Sequence, residues 1–213
     1  MRKSILIILV LFVAMQGYAS DYFACKVILN DSTVLNGYSK KPNMMDKYFK
    51  LRKATEKTDQ QFTSDQVKTI FFYDDQQAVT CYEPVFTYRN YSNKTPLKTK
   101  SWLQLVSTGY VKLYLGYQPG TNSPNMNLWY CKKTEDQTAY FITMKYSGGI
   151  VFTVGASNDL IKNASIYFAD YPVLVEKIKQ KQFKTDNLSA LVEEYNAWKG
   201  ISKWNSGVQA FVR

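Results

Sequence analysis

A chain of 213 residues with 46% hydrophobic content, 17 Tyr, 12 Phe and 4 Trp holds enough apolar material for one ordinary domain, or two small ones, without metal or disulfide support. It carries 27 Lys and Arg against 17 Asp and Glu and no His, which removes Ser-His-Asp and Cys-His nucleophile pairs, histidine-ligated zinc and the usual general base near neutral pH. The composition argues against disorder, three cysteines are too few for a disulfide scaffold, and no run of 18 apolar residues is present to form a membrane-spanning helix.

Arg2 and Lys3 precede an unbroken apolar stretch from Ile5 to Ala14, and Gly17-Tyr18-Ala19 supplies small residues at the positions a leader peptidase reads. A charged start, a short apolar core and a small-residue exit predict a secretory signal peptide over 1–19, with a mature chain from Ser20 or Asp21. Cys25 lies too far beyond the apolar core, behind Tyr22-Phe23-Ala24, to read as a lipid-modified cysteine. Without Arg2 and Lys3 the balance is 25 basic to 17 acidic residues, about +8. The expected partners of such a chain are anionic: acidic polysaccharide, lipid headgroups or an envelope protein. Nucleic acid is the weakest partner, because no reading motif accompanies the charge.

From 20 to 155 the pattern is that of strands. Cys25, Val27 and Leu29 alternate with Lys26 and Ile28, Asn30-Asp31-Ser32 is a turn, and Thr33-Val34-Leu35 resumes, which predicts a hairpin. Tyr48 to Arg52 predicts a strand with Phe49 and Leu51 inside and Lys50 and Arg52 wet. Val67–Tyr73 and Ala78–Tyr91 follow, joined by Asp74-Asp75-Gln76-Gln77, and Pro84 predicts an edge or a split in the second of them. Ser101–Val106 and Tyr110–Tyr117 form another pair across Ser107-Thr108-Gly109. Pro119 to Asn125 is a loop, Leu128–Lys133 and Thr138–Tyr146 are two more strands, and Gly148-Gly149 breaks the chain before a short strand at Ile150–Val154.

The period then changes. Leu160, Ile161, Ala164, Tyr167 and Phe168 recur at helical spacing after Ser157, with Asn158 or Asp159 as cap. Pro172 opens a second helix that buries Leu174 and Ile178. A third, from about Asn187 to Lys199, is capped by Asp186, buries Leu188, Leu191, Val192, Tyr195 and Trp198, and ends at Gly200. Ile201–Arg213 is a tail or an edge strand. The sum is an α+β protein: an antiparallel β-rich body over 20–155 followed by a helical segment over 156–213.

Several segments together resemble a family of secreted and periplasmic proteins of Gram-negative bacteria that has no established activity. They are Asp31-Ser32-Thr33-Val34-Leu35-Asn36-Gly37-Tyr38, Ser64-Asp65-Gln66-Val67-Lys68-Thr69-Ile70, Trp102–Val106 with Gly109–Tyr114, and Val192-Glu193-Glu194-Tyr195-Asn196. The resemblance implies export and a β-rich body and assigns no site residue.

Chemistry-bearing residues are sparse. Cys25, Cys81 and Cys131 each fall in a predicted strand with no C-x-x-C spacing, so they are buried thiols, one disulfide plus a thiol, or include a catalytic thiolate activated by lysine or arginine. No metal or cofactor set is identified. Asp74-Asp75 reads as a turn, Glu193-Glu194 as a polar helix face and Asp170 as a helix boundary. Two surfaces remain. Tyr110, Lys112 and Tyr114 share one strand face opposite Val111, Leu113 and Leu115, and an uncovered Tyr-Lys-Tyr row suits sugars or anions. Lys177, Lys181 and Lys184 sit at helical spacing beside Leu174 and Ile178, a flank able to meet an anionic bilayer. These features point to a non-enzymatic binding or accessory module of the cell envelope. The alternative is a carboxylate-dependent hydrolase acting on polysaccharide, which needs two acids facing one cleft.

Overall fold

The computed structural model describes residues 22–53, 58–74, 79–89, 92–120, 123–147 and 153–200, with backbone alone at 147 and 153–156. The expected signal peptide, the Gly148-Gly149 break and the segment 201–213 lie outside these residues. Among the described residues ten strands precede three helices: β1 Phe23–Leu29, β2 Val34–Ser39, β3 Phe49–Leu51, β4 Gln60–Phe62, β5 Val67–Tyr73, β6 Val79–Thr87, β7 Ser101–Ser107, β8 Val111–Gln118, β9 Asn125–Lys133, β10 Thr138–Ser147, α1 Thr153–Tyr167, α2 Pro172–Lys179 and α3 Leu188–Trp198. The α+β class and its order, β-rich body first and helices last, are those expected. The helices lack a cap of any length at the expected residues: Asn158 and Asp159 lie inside α1, which starts at Thr153 rather than after Ser157. The β-branched residues expected to form a strand at 150–154 end in that helix at Thr153 and Val154, a case of weak local propensity yielding to context.

Eight strands form one sheet in the order β10-β9-β8-β7-β6-β5-β1-β2. All neighbours are antiparallel, but β10 also meets β6 in parallel through Thr138↔Phe86 and Ala139↔Thr87. Strands β6 to β10 therefore close into a ring, and β5, β1 and β2 extend from it as an open wing. Closure covers the start of the otherwise free β10 edge and the part of β6 that lies beyond its pairing with β5. The seam is short, and Asn93 lengthens it: its side-chain amide donates to the Phe141 carbonyl at 2.9 Å and accepts from the Phe141 N–H at 2.7 Å.

Pro84 sits where this topology needs it. It is opposite Trp102 in the β6–β7 ladder, yet the Trp102 N–H donates to the Met44 carbonyl rather than to β6. The Pro84–Trp102 pair is thus a non-hydrogen-bonded rung, and the missing N–H of Pro84 faces the opposite edge. On that edge β5 has left the strand after Tyr82 and β10 joins only at Phe86. Strand β6 itself runs unbroken through Pro84 and lies inside the sheet, so the expected edge position or split is not found; the sheet forks there instead.

Three packed clusters follow from the two faces of the sheet. Val85, Leu103, Tyr114, Leu128, Tyr130, Ala139 and Phe141 come from all five ring strands and, with Met44, fill the lumen. Gly116 makes room for that methionine, since a Cβ there would lie 2.7 Å from Met44 Sδ. Outside the ring, Val111, Leu113, Cys131 and Ile142 pack under Leu160, Phe168, Leu174, Leu191, Val192 and Tyr195 of the helical segment. On the wing, Cys25, Val27, Ile70 and Phe72 pack against Phe49, Leu51 and Phe62 of the β3–β4 hairpin. Strand β3 has the expected wet and dry faces, whereas β4 carries Gln60-Gln61-Phe62 and offers no alternation to read.

The helical stripe is mostly as expected: Leu188, Leu191, Val192 and Tyr195 are buried. Trp198 is not, at 44% exposed. Asp186 does not cap α3: Asn187 occupies that position without a side-chain hydrogen bond, and Asp186 pairs with Lys145. A residue with no apolar period, Asn196, is 6% exposed and ties the helix to the sheet. Its amide accepts from the Val111 N–H at 2.8 Å and donates to the Val111 carbonyl at 3.0 Å, as a strand neighbour would.

Candidate functional site

The expected Tyr110-Lys112-Tyr114 row is divided by the structure. Val111 and Leu113 are buried beneath the helices, while Leu115 is only half-buried. Tyr114 is 1% exposed, because the face opposite the helices looks into a closed ring rather than into water. Tyr110 precedes β8 and follows Gly109, whose φ of +147° is a backbone setting that favours glycine. It packs on the helical side, 6.3 Å from Tyr195 in a stacked pair, with its hydroxyl donating to Glu135. Lys112 and Tyr114 remain neighbours, and both reach Glu83.

Glu83, Lys112 and Tyr114 lie in a cleft of about 350 Å³ at the mouth of the ring, with Pro84, Val85, Phe86, Lys100, Lys132, Lys133, Thr134 and Gln137 around it. Lys112 Nζ is 2.9 Å from both Glu83 carboxylate oxygens, and the Tyr114 hydroxyl donates to Glu83 Oε2 at 2.6 Å. Burial first, then the charge of Glu83, pushes the Tyr114 phenol far above its ordinary value, so it stays protonated and serves as a donor. Below the triad Tyr130 and Phe141 meet edge to face at 5.7 Å and close the lumen to any chain-like ligand.

The cleft has more positive charge than its own acid can match. Lys112 and Lys132 are direct cross-strand partners between β8 and β9, an arrangement that is unfavourable for like charges. Lys100 pairs with Asp65 at 3.2 Å and lies over the Phe86 ring at 5.5 Å. Lys133 pairs with Asp170 at 3.5 Å on the outer side. Lys132 has no acidic partner among the described residues. Glu83 is the one carboxylate among the residues lining the cleft.

A second group of cations and rings stands on the helical side. Lys133 lies over Tyr167 and Tyr195 at 5.0 and 5.4 Å, and Lys199 over Tyr110, Tyr195 and Trp198 at 5.3, 5.6 and 4.6 Å. Asp170, expected only to mark a helix boundary, accepts from the Tyr195 hydroxyl at 2.6 Å and pairs with Lys199 at 3.1 Å. Partial burial works to raise the Asp170 pKa, but the Tyr195 and Lys199 hydrogen bonds and the two lysine charges together hold it below the ordinary value. Trp198 stacks on Tyr171 at 4.5 Å with planes 5° apart, so its exposed ring is already occupied by the ring beside it and the lysine over it.

The other candidates separate. Asp74 is exposed and Asp75 lies outside the described residues; Glu193 is exposed and Glu194 pairs with Lys177 at 2.8 Å. The expected lysine flank does not form, because α2 ends at Lys179 and Lys181 has a φ of 59°, which turns the chain before Lys184. Cys25, Cys81 and Cys131 are buried thiols in three separate places, and burial raises Cys25 to about 12 and Cys81 to about 11. Among the described residues no group of acids and cysteines is placed to hold a metal ion, and no helix is long and apolar enough to cross a membrane. Of the residues lining the cleft, sequence reasoning singles out Lys112 and Tyr114 and passes over Glu83, Lys100 and Lys132, which no motif marks and which only ring closure brings together. No family model, curated protein or solved structure matches the chain.

Proposed function

We propose that the chain is an exported, non-enzymatic binding protein of the cell envelope that holds an anionic ligand at the mouth of the β-ring. The observation that carries this reading is the cross-strand pair Lys112 and Lys132, of which Glu83 satisfies the first alone. Lys100 also lines the opening, paired with the exposed Asp65, whereas Lys133 is matched by Asp170 on the outer side. Such an excess is unfavourable in the empty protein and is relieved by a bound anion. Hydrolysis by two carboxyl groups draws no support from a cleft with one carboxylate that is already held by an ammonium and a phenol. Export rests on Arg2-Lys3, the apolar run and the Gly17-Tyr18-Ala19 exit.

Two measurements test the reading. Retention of the full chain on an immobilised acidic polysaccharide at low salt should fall steeply as salt rises and should fall for Lys132→Ala. Equal retention of wild type and Lys132→Ala removes the cleft from the account. Intact-mass analysis of protein recovered from outside the cytoplasm should show loss of the segment ending at Ala19 or Ser20, and a full-length species would contradict export by cleavage.

A further inference from the structure

Glu83 is an awkward residue in a site meant for a bare anion. Its side chain keeps 22% of its surface exposed, so its negative charge faces the same opening as Lys132 and repels whatever Lys132 attracts. A site selected for phosphate or a simple carboxylate would do better with a neutral residue there. Glu83 is nevertheless anchored firmly: Lys112 reaches both oxygens and Tyr114 reaches one, which fixes the carboxylate at the cleft wall and does not allow it to swing away. A carboxylate has about four lone-pair positions, and these contacts occupy three, leaving Oε1 able to accept one more hydrogen bond. The cleft thus presents an ammonium without an acidic partner among the described residues and an acceptor held in place. Beside these stand the half-buried Pro84 and Phe86.

Resting on the anion-binding reading above, we infer that the ligand is an acidic sugar unit, a residue carrying both a carboxylate or sulfate and neighbouring hydroxyl groups. Its acid pairs with Lys132, a hydroxyl donates to Glu83 Oε1, and the C–H face of the ring lies against Pro84 and Phe86, a kind of surface on which sugars pack. Lys100 over the Phe86 ring adds positive charge along the same wall. Because Tyr114, Tyr130 and Phe141 close the lumen, the chain of a polysaccharide runs across the mouth and a fatty acid finds no channel for its tail. Glu83 then acts as a specificity residue: it disfavours bare anions and rewards those with a hydroxyl to give.

The test is calorimetric titration of the full chain at low salt with four probes: a glucuronate-containing oligosaccharide, the matching neutral glucose oligosaccharide, acetate and inorganic phosphate. The uronate oligosaccharide should bind at least tenfold more tightly than each of the other three. Lys132→Ala should weaken the uronate ligand at least tenfold. Glu83→Gln keeps a carbonyl acceptor but removes the repulsion, so it should strengthen acetate and phosphate binding and shrink the preference severalfold. If phosphate or acetate binds wild type as well as the uronate does, or if Glu83→Gln leaves the preference unchanged, this inference fails while the anion-binding reading stands. If no anionic probe binds, both fail. Circular dichroism melting of each variant separates loss of binding from loss of fold, and a variant that binds less only because it melts at the assay temperature counts against the assignment of its residue.

Discussion

Two clusters of lysines and tyrosines lie on opposite faces of the β8–β9 pair, and they differ in how their charges are matched. On the helical side Lys133 and Lys199 share Asp170 and four rings, Tyr110, Tyr167, Tyr195 and Trp198. The hydroxyls of Tyr110, Tyr167 and Tyr195 each donate to a carboxylate: Glu135, Asp136 and Asp170. At the mouth of the ring, adjacent residues Lys112 and Lys132 face each other with Glu83 between few donors and the solvent. The same residue types therefore serve two ends. Where every cation has a ring and an acid, the group fastens helices to the sheet; where one cation is left over beside an open cleft, the group is available to a ligand.

The largest effects should come from the aromatic centres of the two regions, and they should be equal in kind. Tyr114 at the mouth and Phe168 in the cap are 1% and 0% exposed, so Tyr114→Ala and Phe168→Ala should each cost about 3–5 kcal/mol in urea unfolding. A negligible cost for Tyr114→Ala would restore the uncovered row read from alternation. Next comes Gly109→Ala: a φ of +147° and a Cβ placed 2.3 Å from Asn196 Nδ2 should loosen the β7–β8 turn and its tie to α3 by about 1–3 kcal/mol, read as a lower unfolding midpoint. A smaller cost would mean that Asn196 does not hold the helix.

The cap should also reveal itself through pH. Asp170 has a folded pKa held below its unfolded value, near 3.9. Its ionised form therefore adds stability that is fully present above about pH 4 and is lost as the pH falls through the lower folded value. Acid unfolding of Asp170→Asn should lack this contribution, so the gap between wild type and variant should narrow on going from pH 6 to pH 2. A constant gap would show that Asp170 is solvated and that the cap is held by its rings alone. The smallest effect is expected at Lys177→Ala, which removes a half-exposed pair with Glu194; its unfolding midpoint should barely move.

How legible these features are depends on whether they are local. Phe49 and Leu51 on β3, Pro172 at the start of α2 and Leu188, Leu191, Val192 and Tyr195 on α3 follow from periods of two and 3.6 residues, because each period needs only its own element to be read. The Tyr110-Lys112-Tyr114 row is legible only in part for the same reason. Alternation fixes that Lys112 and Tyr114 share a face, but it cannot say that the face turns into a closed ring, since closure depends on the distant pairing of Thr138 with Phe86. Tyr110 left the row because Gly109 redirects the backbone one residue before the strand. Glu83 and Lys132 were invisible as a site for want of any local pattern joining β6 to β9. The lysine flank failed at a single residue, Lys181, whose left-handed backbone ends the helical spacing on which the flank was built.

The contrast between matched and surplus charge is tested most directly by comparing two single substitutions in one binding experiment. Lys132→Ala removes the lysine that has no acidic partner among the described residues, and Lys199→Ala removes a lysine of equal charge that is paired in the cap. Both lower the net charge by one, so a general attraction of a basic protein for a polyanion would weaken equally in the two. Retention of full-length protein on acidic polysaccharide, followed over a salt gradient, should shift to markedly lower salt for Lys132→Ala and remain close to wild type for Lys199→Ala. Equal shifts, or a larger one for Lys199→Ala, would contradict the assignment of the mouth as the binding site.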